Sequence, residues 1–183
     1  ADITKEDQVV SMVDAIIARW GRIDNLFSNA GIIIKSKMHE MSYENFRKVT
    51  SVAMDGTFLV TKACLPHMIA AGHGDIVFMG SGTIYNGGGD SVGYTAGKAA
   101  VEGIMAQMVN EYSAQGIRVN TIRPMVIMTP LMRARYTDES YAAYCSHLPL
   151  GRGGTPEEVG NLVAFLLDRE KSGFLQGVGV NID

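Results

Sequence analysis

Apolar residues along the chain follow two spacings. Between Lys5 and Trp20, Val9, Met12, Val13, Ile16 and Ile17 recur every three or four positions and predict an amphipathic helix over about 5–20. Short apolar runs bounded by turn residues predict buried strands at about 24–28, 75–79 and 117–122, and a last one at 177–182. Helical spacing returns from Ser42, whose Ser-x-x-Asn start is a cap signal, and runs toward Ala71 with a bend expected near Asp55-Gly56 or at Pro66. A long helix is expected from Tyr94 to about Ala114, and another from Pro156 to about Leu167, with proline in its first turn. A glycine loop fills 80–93, and 124–155 has no clean period. Strands alternating with helices predict an α/β domain, a parallel sheet covered on both faces, in one unit spanning 1–183.

Composition narrows the function classes more than it identifies one. With 183 residues and 46% hydrophobic content, the chain can fill a single core. A net charge of −3 leaves no basic footprint for nucleic acid. No apolar run approaches the ~20 residues that span a bilayer, so no membrane partner is expected. Cys64 and Cys145 are too few for a disulfide framework and point to a reducing, cytoplasmic setting. His39, His67, His73 and His147 lack ligand spacing, so no metal is expected. Gly80-Ser-Gly82 does not space its glycines as a dinucleotide loop does, and close approach of substrate to backbone is the expectation there. Gly97-Lys98 fails as a phosphate loop because Ala99 stands where a hydroxyl would bind magnesium.

The chemistry concentrates at Tyr94-Thr-Ala-Gly-Lys98. Residues four apart share a helix face, so an ammonium can sit beside a phenol. A free phenol titrates near ~10, and a neighbouring cation favours its ionised form, which is expected to draw Tyr94 toward the range of an acid/base catalyst. Ser81, 13 residues upstream, follows the strand at 75–79, so a strand end and a helix start deliver a hydroxyl and a phenol to one point.

With Ser28-Asn-Ala-Gly31, Ser81 ahead of Tyr94 and Lys98, Pro124-Met-Val-Ile-Met-Thr129 and the closing Val178-Gly-Val-Asn-Ile-Asp183, the chain resembles the short-chain dehydrogenases/reductases from end to end. The resemblance implies a Rossmann-like doubly wound sheet and NAD(P)-dependent hydride transfer between an alcohol and a carbonyl. It implies Tyr94 as proton carrier and Ser81 as hydrogen-bond donor to the reacting oxygen. Lys98 is implied to lower the Tyr94 pKa and to grip the nicotinamide ribose. Pro124, Ile127 and Thr129 match positions that seat the nicotinamide, and Ser28, Ala30 and Gly31 match the turn past the adenosine ribose. Asp2, with Ile3, matches the segment that meets the adenine. Ile127 as plain core and Ser28 as a strand-end cap are the structural alternatives. A homodimer or homotetramer is also implied, joined through the helices at 42–71 and 94–114, whose Phe58, Leu59, Leu65, Met68, Ile104, Met105, Met108 and Val109 exceed the apolar needs of one sheet face.

Departures from the family pattern shape a second reading. The glycine-rich opening that holds the cofactor pyrophosphate is missing, which implies a sheet truncated at its N-terminus by two βα units and a strand, on the order of 60 residues. Ala53 occupies the position of an asparagine that relays protons from the lysine, Met125 that of a glycine beside the nicotinamide, and Ser28 that of the first turn asparagine. These favour a non-catalytic or impaired relative kept for oligomer assembly or small-molecule binding. The region after Thr129, with Leu131, Met132, Tyr136, Tyr141, Tyr144 and His147, is expected to form a mobile lid over the substrate, whose identity the sequence leaves open.

Overall fold

Four parallel strands of four to eight residues set the frame. The computed structural model describes every residue but Asp90, Ala134 and Arg135, and side chains other than those of Leu131 and Arg133. In chain order it comprises α1 (Glu6–Trp20), β1 (Asn25–Ser28), α2 (Tyr43–Thr50), a π-helical turn (Ser51–Asp55), α3 (Gly56–Ala71), β2 (Gly74–Met79), α4 (Thr83–Asn86) and α5 (Val92–Tyr112). There follow β3 (Ile117–Pro124), α6 (Pro130–Arg133), α7 (Asp138–Cys145), α8 (Pro156–Leu167), α9 (Arg169–Ser172) and β4 (Gly179–Ile182). Single-turn 3-10 segments precede α2 and follow α5. The strands form one parallel sheet in the order β1-β2-β3-β4.

Alternation along β2 divides the core. Ile76 and Phe78 face one side with Val9 and Val13 of α1, Val60 and Met68 of α3, and Val101 and Met105 of α5. Val77 faces the other, with Ile122 and Val159, Val163 and Leu166 of α8. Side chains on successive strand residues point to opposite faces, so a strand covered on both sides is buried along its length: five of the six residues of β2 are buried, Ile76, Val77 and Phe78 fully, with Asp75 its one charged residue.

The helix boundaries follow local chemistry. Ser42 caps α2 through Asn45 N at 3.1 Å, and α1 and α3 stop at Gly21 and Gly72, both in the left-handed conformation that glycine adopts without a Cβ penalty. Thr155 and Glu158 form a reciprocal capping box on α8, with Pro156 inside the first turn. The expected bend between Ser42 and Ala71 is the π turn at Ser51–Asp55, whereas Pro66 lies within α3 without ending it. The long helix starts at Val92 rather than Tyr94, because Ser91 accepts from Tyr94 N at 3.4 Å and caps it there. The region 124–155 holds α6 and α7, too short to show a period.

One expectation changes on packing. Leu65, Met68, Met105 and Met108 belong to the buried core, with Leu59, Ile104 and Val109 packed against it, and only Phe58 of that set is strongly exposed. Helices α1, α3 and α5 pack on one face, and the long methionines fill the space between them. No helix among the described residues is long and apolar enough to cross a membrane.

Candidate active site

The strands end in register: Ser28 pairs with Phe78, Met79 with Ile122, and Pro124 with Ile182. Ser28, Ser81 and Pro124 therefore stand along one carboxyl edge, where parallel α/β sheets bind their ligands. Ser81 leaves β2 two residues past its end and is buried, its Oγ accepting from Thr83 N at 3.3 Å. Tyr94 enters from the first turn of α5, with the Ser81 hydroxyl near enough to act on the titration of its phenol.

Lys98 lies one turn further along α5 and is only 3% exposed. Its Nζ donates to Met79 O at 2.6 Å and lies 5.7 Å from the Tyr94 ring centroid. Burial brings Lys98 down to about 8, because taking an ammonium from water favours its neutral form. A β-carbon built on Gly31 would lie 3.6 Å from Lys98 Nζ, so the Asn-Ala-Gly turn after β1 passes directly over the ammonium. Ser81, Tyr94, Lys98 and Gly31 are thus brought together by three separate segments, the turn after β1, the loop after β2 and α5.

The electrostatics differ from the expectation for the phenol. Tyr94 is raised above its ordinary value by burial, and the Ser81 hydrogen bond is what acts in the lowering direction. Lys98 is itself desolvated and directs its ammonium to the Met79 carbonyl, 5.7 Å from the Tyr94 ring centroid, and its field does not outweigh that burial. The Tyr94 phenol has the Ser81 hydroxyl as its near partner, with the Lys98 cation at one remove.

The glycines flanking Ser81 also do something other than expected. A β-carbon at Gly80 would sit 2.9 Å from Glu102 Oε1, and one at Gly82 would collide with the Met125 sulfur. Both positions are bare where side chains of this chain, Glu102 and Met125, come close. Met125, with its long side chain beside the strand end, lies over Gly82. Gly93 and Gly97 likewise let α5 close on α2 and the π turn; a β-carbon at Gly97 would lie 2.8 Å from that of Ala53, which is buried there.

The remaining expected residues are spread around this centre. Ser28 Oγ lies 3.3 Å from Thr57 Oγ1, and Ala30 is exposed beside Gly31. Thr129 Oγ1 accepts from Met132 N at 3.3 Å at the start of α6. Ile127 packs partly against the α8 core, the structural alternative for it. Asp2 and Ile3 make none of the central contacts. Asp2 accepts from Thr4 N and Oγ1 at 2.9 and 2.7 Å, bonds that hold its carboxyl below the usual range. Ile3 packs over Gly56 and against the first core. In the region after Thr129, Tyr136 meets Tyr141 and Tyr144 with ring centroids at 6.2 and 5.8 Å; the Leu131 side chain lies outside the described residues. Among the described residues no three histidine, cysteine or acidic side chains gather to hold a metal. Glu102, Thr121 and Arg123, which border the Ser81 loop, were not expected from the sequence; the spacing of Glu102 four after Lys98 is the signal that places it on the same face.

Comparison with known proteins gives this geometry a context. Residues 1–183 match the family described as enoyl-(acyl carrier protein) reductase. The chain is 34% identical over 182 residues to a 3-oxoacyl-[acyl-carrier-protein] reductase of Thermotoga maritima, covering all of this chain and 73% of the relative. It is 36% identical over 183 residues to a cis-4-hydroxycyclohexanecarboxylate dehydrogenase of Sinomonas cyclohexanicum, again with 73% of the relative covered. The solved structure of levodione reductase superimposes with a TM-score of 0.93 at 33% identity, over all of this chain and 74% of that one.

Proposed function

Since the chain belongs to the short-chain dehydrogenase/reductase family, we propose that it interconverts an alcohol and a carbonyl compound by hydride transfer with NAD or NADP, Tyr94 moving the proton. The observation that carries this is the meeting of Tyr94 and buried Ser81 with the buried Lys98 ammonium, 5.7 Å from the Tyr94 ring centroid, under the Gly31 turn. A structural role has no use for that trio, whereas a carbonyl oxygen needs each member.

The donor set fits the nicotinamide half of the cofactor. Lys98 has three N–H donors and spends one on Met79 O, which leaves donors for ribose hydroxyls below the Gly31 turn. Pro124, Ile127 and Thr129 would border the nicotinamide end, Ser28, Ala30 and Gly31 the adenosine ribose, and Asp2 with Ile3 the adenine. The bound nicotinamide supplies or accepts the hydride. In reduction, Tyr94 Oη gives its proton to the substrate oxygen, and Ser81 Oγ donates to the same oxygen and steadies the charge that develops there. The Lys98 charge then stabilises the phenolate left behind. In oxidation the phenolate takes the proton back.

Three further readings complete the proposal. The α3/α5 groove lined by Phe58, Leu65, Ile69, Ile104 and Tyr112 is an apolar surface that a second copy would cover, making a homodimer or homotetramer. Light scattering that gives a monomer at micromolar concentration refutes that assembly. Cys64 and Cys145 are free and buried, which supports a reducing, cytoplasmic setting. A scaffold reading draws on Ala53, a buried methyl that offers no hydrogen bond.

Deuteride transfer separates enzyme from scaffold. Incubation with nicotinamide cofactor deuterated at C4 and a set of aliphatic and cyclic ketones is expected to place deuterium on the carbinol carbon of at least one. Absence of label from every ketone, with both NADH and NADPH, refutes the enzymatic reading.

A further inference from the structure

One helical turn beyond Lys98, α5 makes a second polar contact with the strand ends. The Glu102 carboxylate accepts a forked pair from Arg123, Nε to Oε1 and Nη2 to Oε2, both at 2.8 Å. Thr121 Oγ1 lies 3.0 Å from each oxygen. The two charged side chains are 15% and 16% exposed. Arg123 also donates through Nη1 to Gly179 O at 3.0 Å, and its guanidinium stands 5.2 Å from the Tyr85 ring centroid. At Gly179 a β-carbon would collide with this guanidinium. One ion pair therefore touches α5, β3, β4 and α4 together.

Its position relative to Ser81 gives it a role beyond holding those elements. Glu102 Oε1 presses on Gly80, the residue before Ser81, closely enough to exclude a β-carbon. Gly80 N donates to Ile122 O at 2.8 Å, next to Arg123. Tyr94, Lys98 and Glu102 stand four apart along α5, a rod about 12 Å long from first to last at ~1.5 Å per residue. A carboxylate–guanidinium fork has fixed geometry, so it sets the separation between that rod and the loop carrying Ser81. A half-buried ion pair returns little net stability after desolvation, which leaves geometry as the use of this one.

We propose that Glu102 and Arg123 are positioning residues that hold the Ser81 loop in register with Tyr94, an inference that rests on the acid/base reading above. Neither reaches the reacting atoms. They act on the hydrogen bond between the two hydroxyls.

The test reads that hydrogen bond without turnover. Tyrosine labelled with carbon-13 at Cζ, in the full chain, reports the Tyr94 titration by NMR, and Tyr94→Phe assigns the signal. Ser81→Ala sets the scale: losing the bond that acts in the lowering direction raises the midpoint. Glu102→Gln is expected to raise it too, by less than Ser81→Ala but by about half a unit. A through-space field effect has the opposite sign, because removing a negative charge favours the phenolate and lowers the midpoint. Arg123→Lys keeps the charge and loses the fork, and it is expected to raise the midpoint as well; it carries the test if Glu102→Gln fails to fold. Lys98, the other group facing the phenol, is unchanged in every variant. A lowered or unmoved midpoint in the folded variants overturns the proposal. Failure of the acid/base reading shows separately, as absence of deuteride transfer with these titrations unaffected.

Discussion

The two ends of the sheet treat buried cations in opposite ways. At the amino end, Arg118 on β3 meets Asp75 on β2 at 2.7 Å, both side chains 8% exposed. Arg118 also donates to the Ser172, Leu166 and Leu175 carbonyls, and Arg169 joins Asp75 from α9 at 2.9 Å. At the carboxyl end, Lys98 is equally buried, donates to one carbonyl, and has no carboxylate partner among the described residues. A satisfied buried ion locks elements together. An undersupplied one keeps donors for something that is not part of the chain, and buried groups displaced from their ordinary pKa gather where ligands bind. The fold thus satisfies one buried charge fully and leaves the other with free donors, the one to which the proposed reading gives chemistry.

The comparison breaks most visibly at Asp75. Asp75→Asn strands two guanidiniums, one of them fully buried, and is expected to cost about 3–5 kcal/mol in urea unfolding, with the Tyr94 titration unmoved in the folded fraction. A loss below about 1 kcal/mol, the scale of an exposed pair, would mean the cluster is not holding the sheet.

Lys98→Met has the opposite sign. The fall from 10.5 to about 8 corresponds to roughly 3 kcal/mol at ~1.36 kcal/mol per unit, a cost present while the folded chain must keep Lys98 protonated. Replacement is expected to stabilise by about 1–3 kcal/mol near neutrality, part of the gain being offset by the lost bond to Met79 O. Between pH 8 and about 10.4 the unfolded chain binds the proton that the folded chain has released, so stability rises with pH there. Unfolding free energies measured across that window should rise in the wild type and lose this rise in Lys98→Met; a parallel rise in both assigns it to another group.

Arg169→Ala is the mildest break. Arg169 is 41% exposed and Asp75 keeps Arg118, so a loss of about 1–2 kcal/mol is expected. Equal losses for Arg169→Ala and Asp75→Asn would show that the exposed arginine, not the buried one, anchors the cluster.

What the sequence made legible follows from range. Helix faces and strand runs are local, and the strands at 75–79 and 117–122 lie within a residue or two of β2 and β3. Tyr94 and Lys98 were legible because four residues along one helix determine a spacing by themselves. Asp75–Arg118 and Glu102–Arg123 were not, because each pairs residues far apart in sequence, and a charged residue inside an apolar run is visible only once its partner is known. The same limit applies to Gly80 and Gly82, whose bare α-carbons answer to Glu102 and Met125 on other elements. The direction of the Tyr94 shift escaped for a related reason: spacing reports that a cation is near, but burial decides how much of its field the phenol feels.

The Lys98 charge and the Tyr94 phenol are tested most directly by Tyr94→Phe, with hydride transfer, cofactor affinity and unfolding free energy measured on the same preparations. Turnover is expected to fall by ~10²–10⁴, the range for loss of an acid/base group. Cofactor affinity should stay within about threefold and stability within about 1 kcal/mol, the net worth of one hydrogen bond. Turnover retained above about a tenth of the wild-type rate, an effect far below that range, would contradict the account and remove Tyr94 from the chemistry.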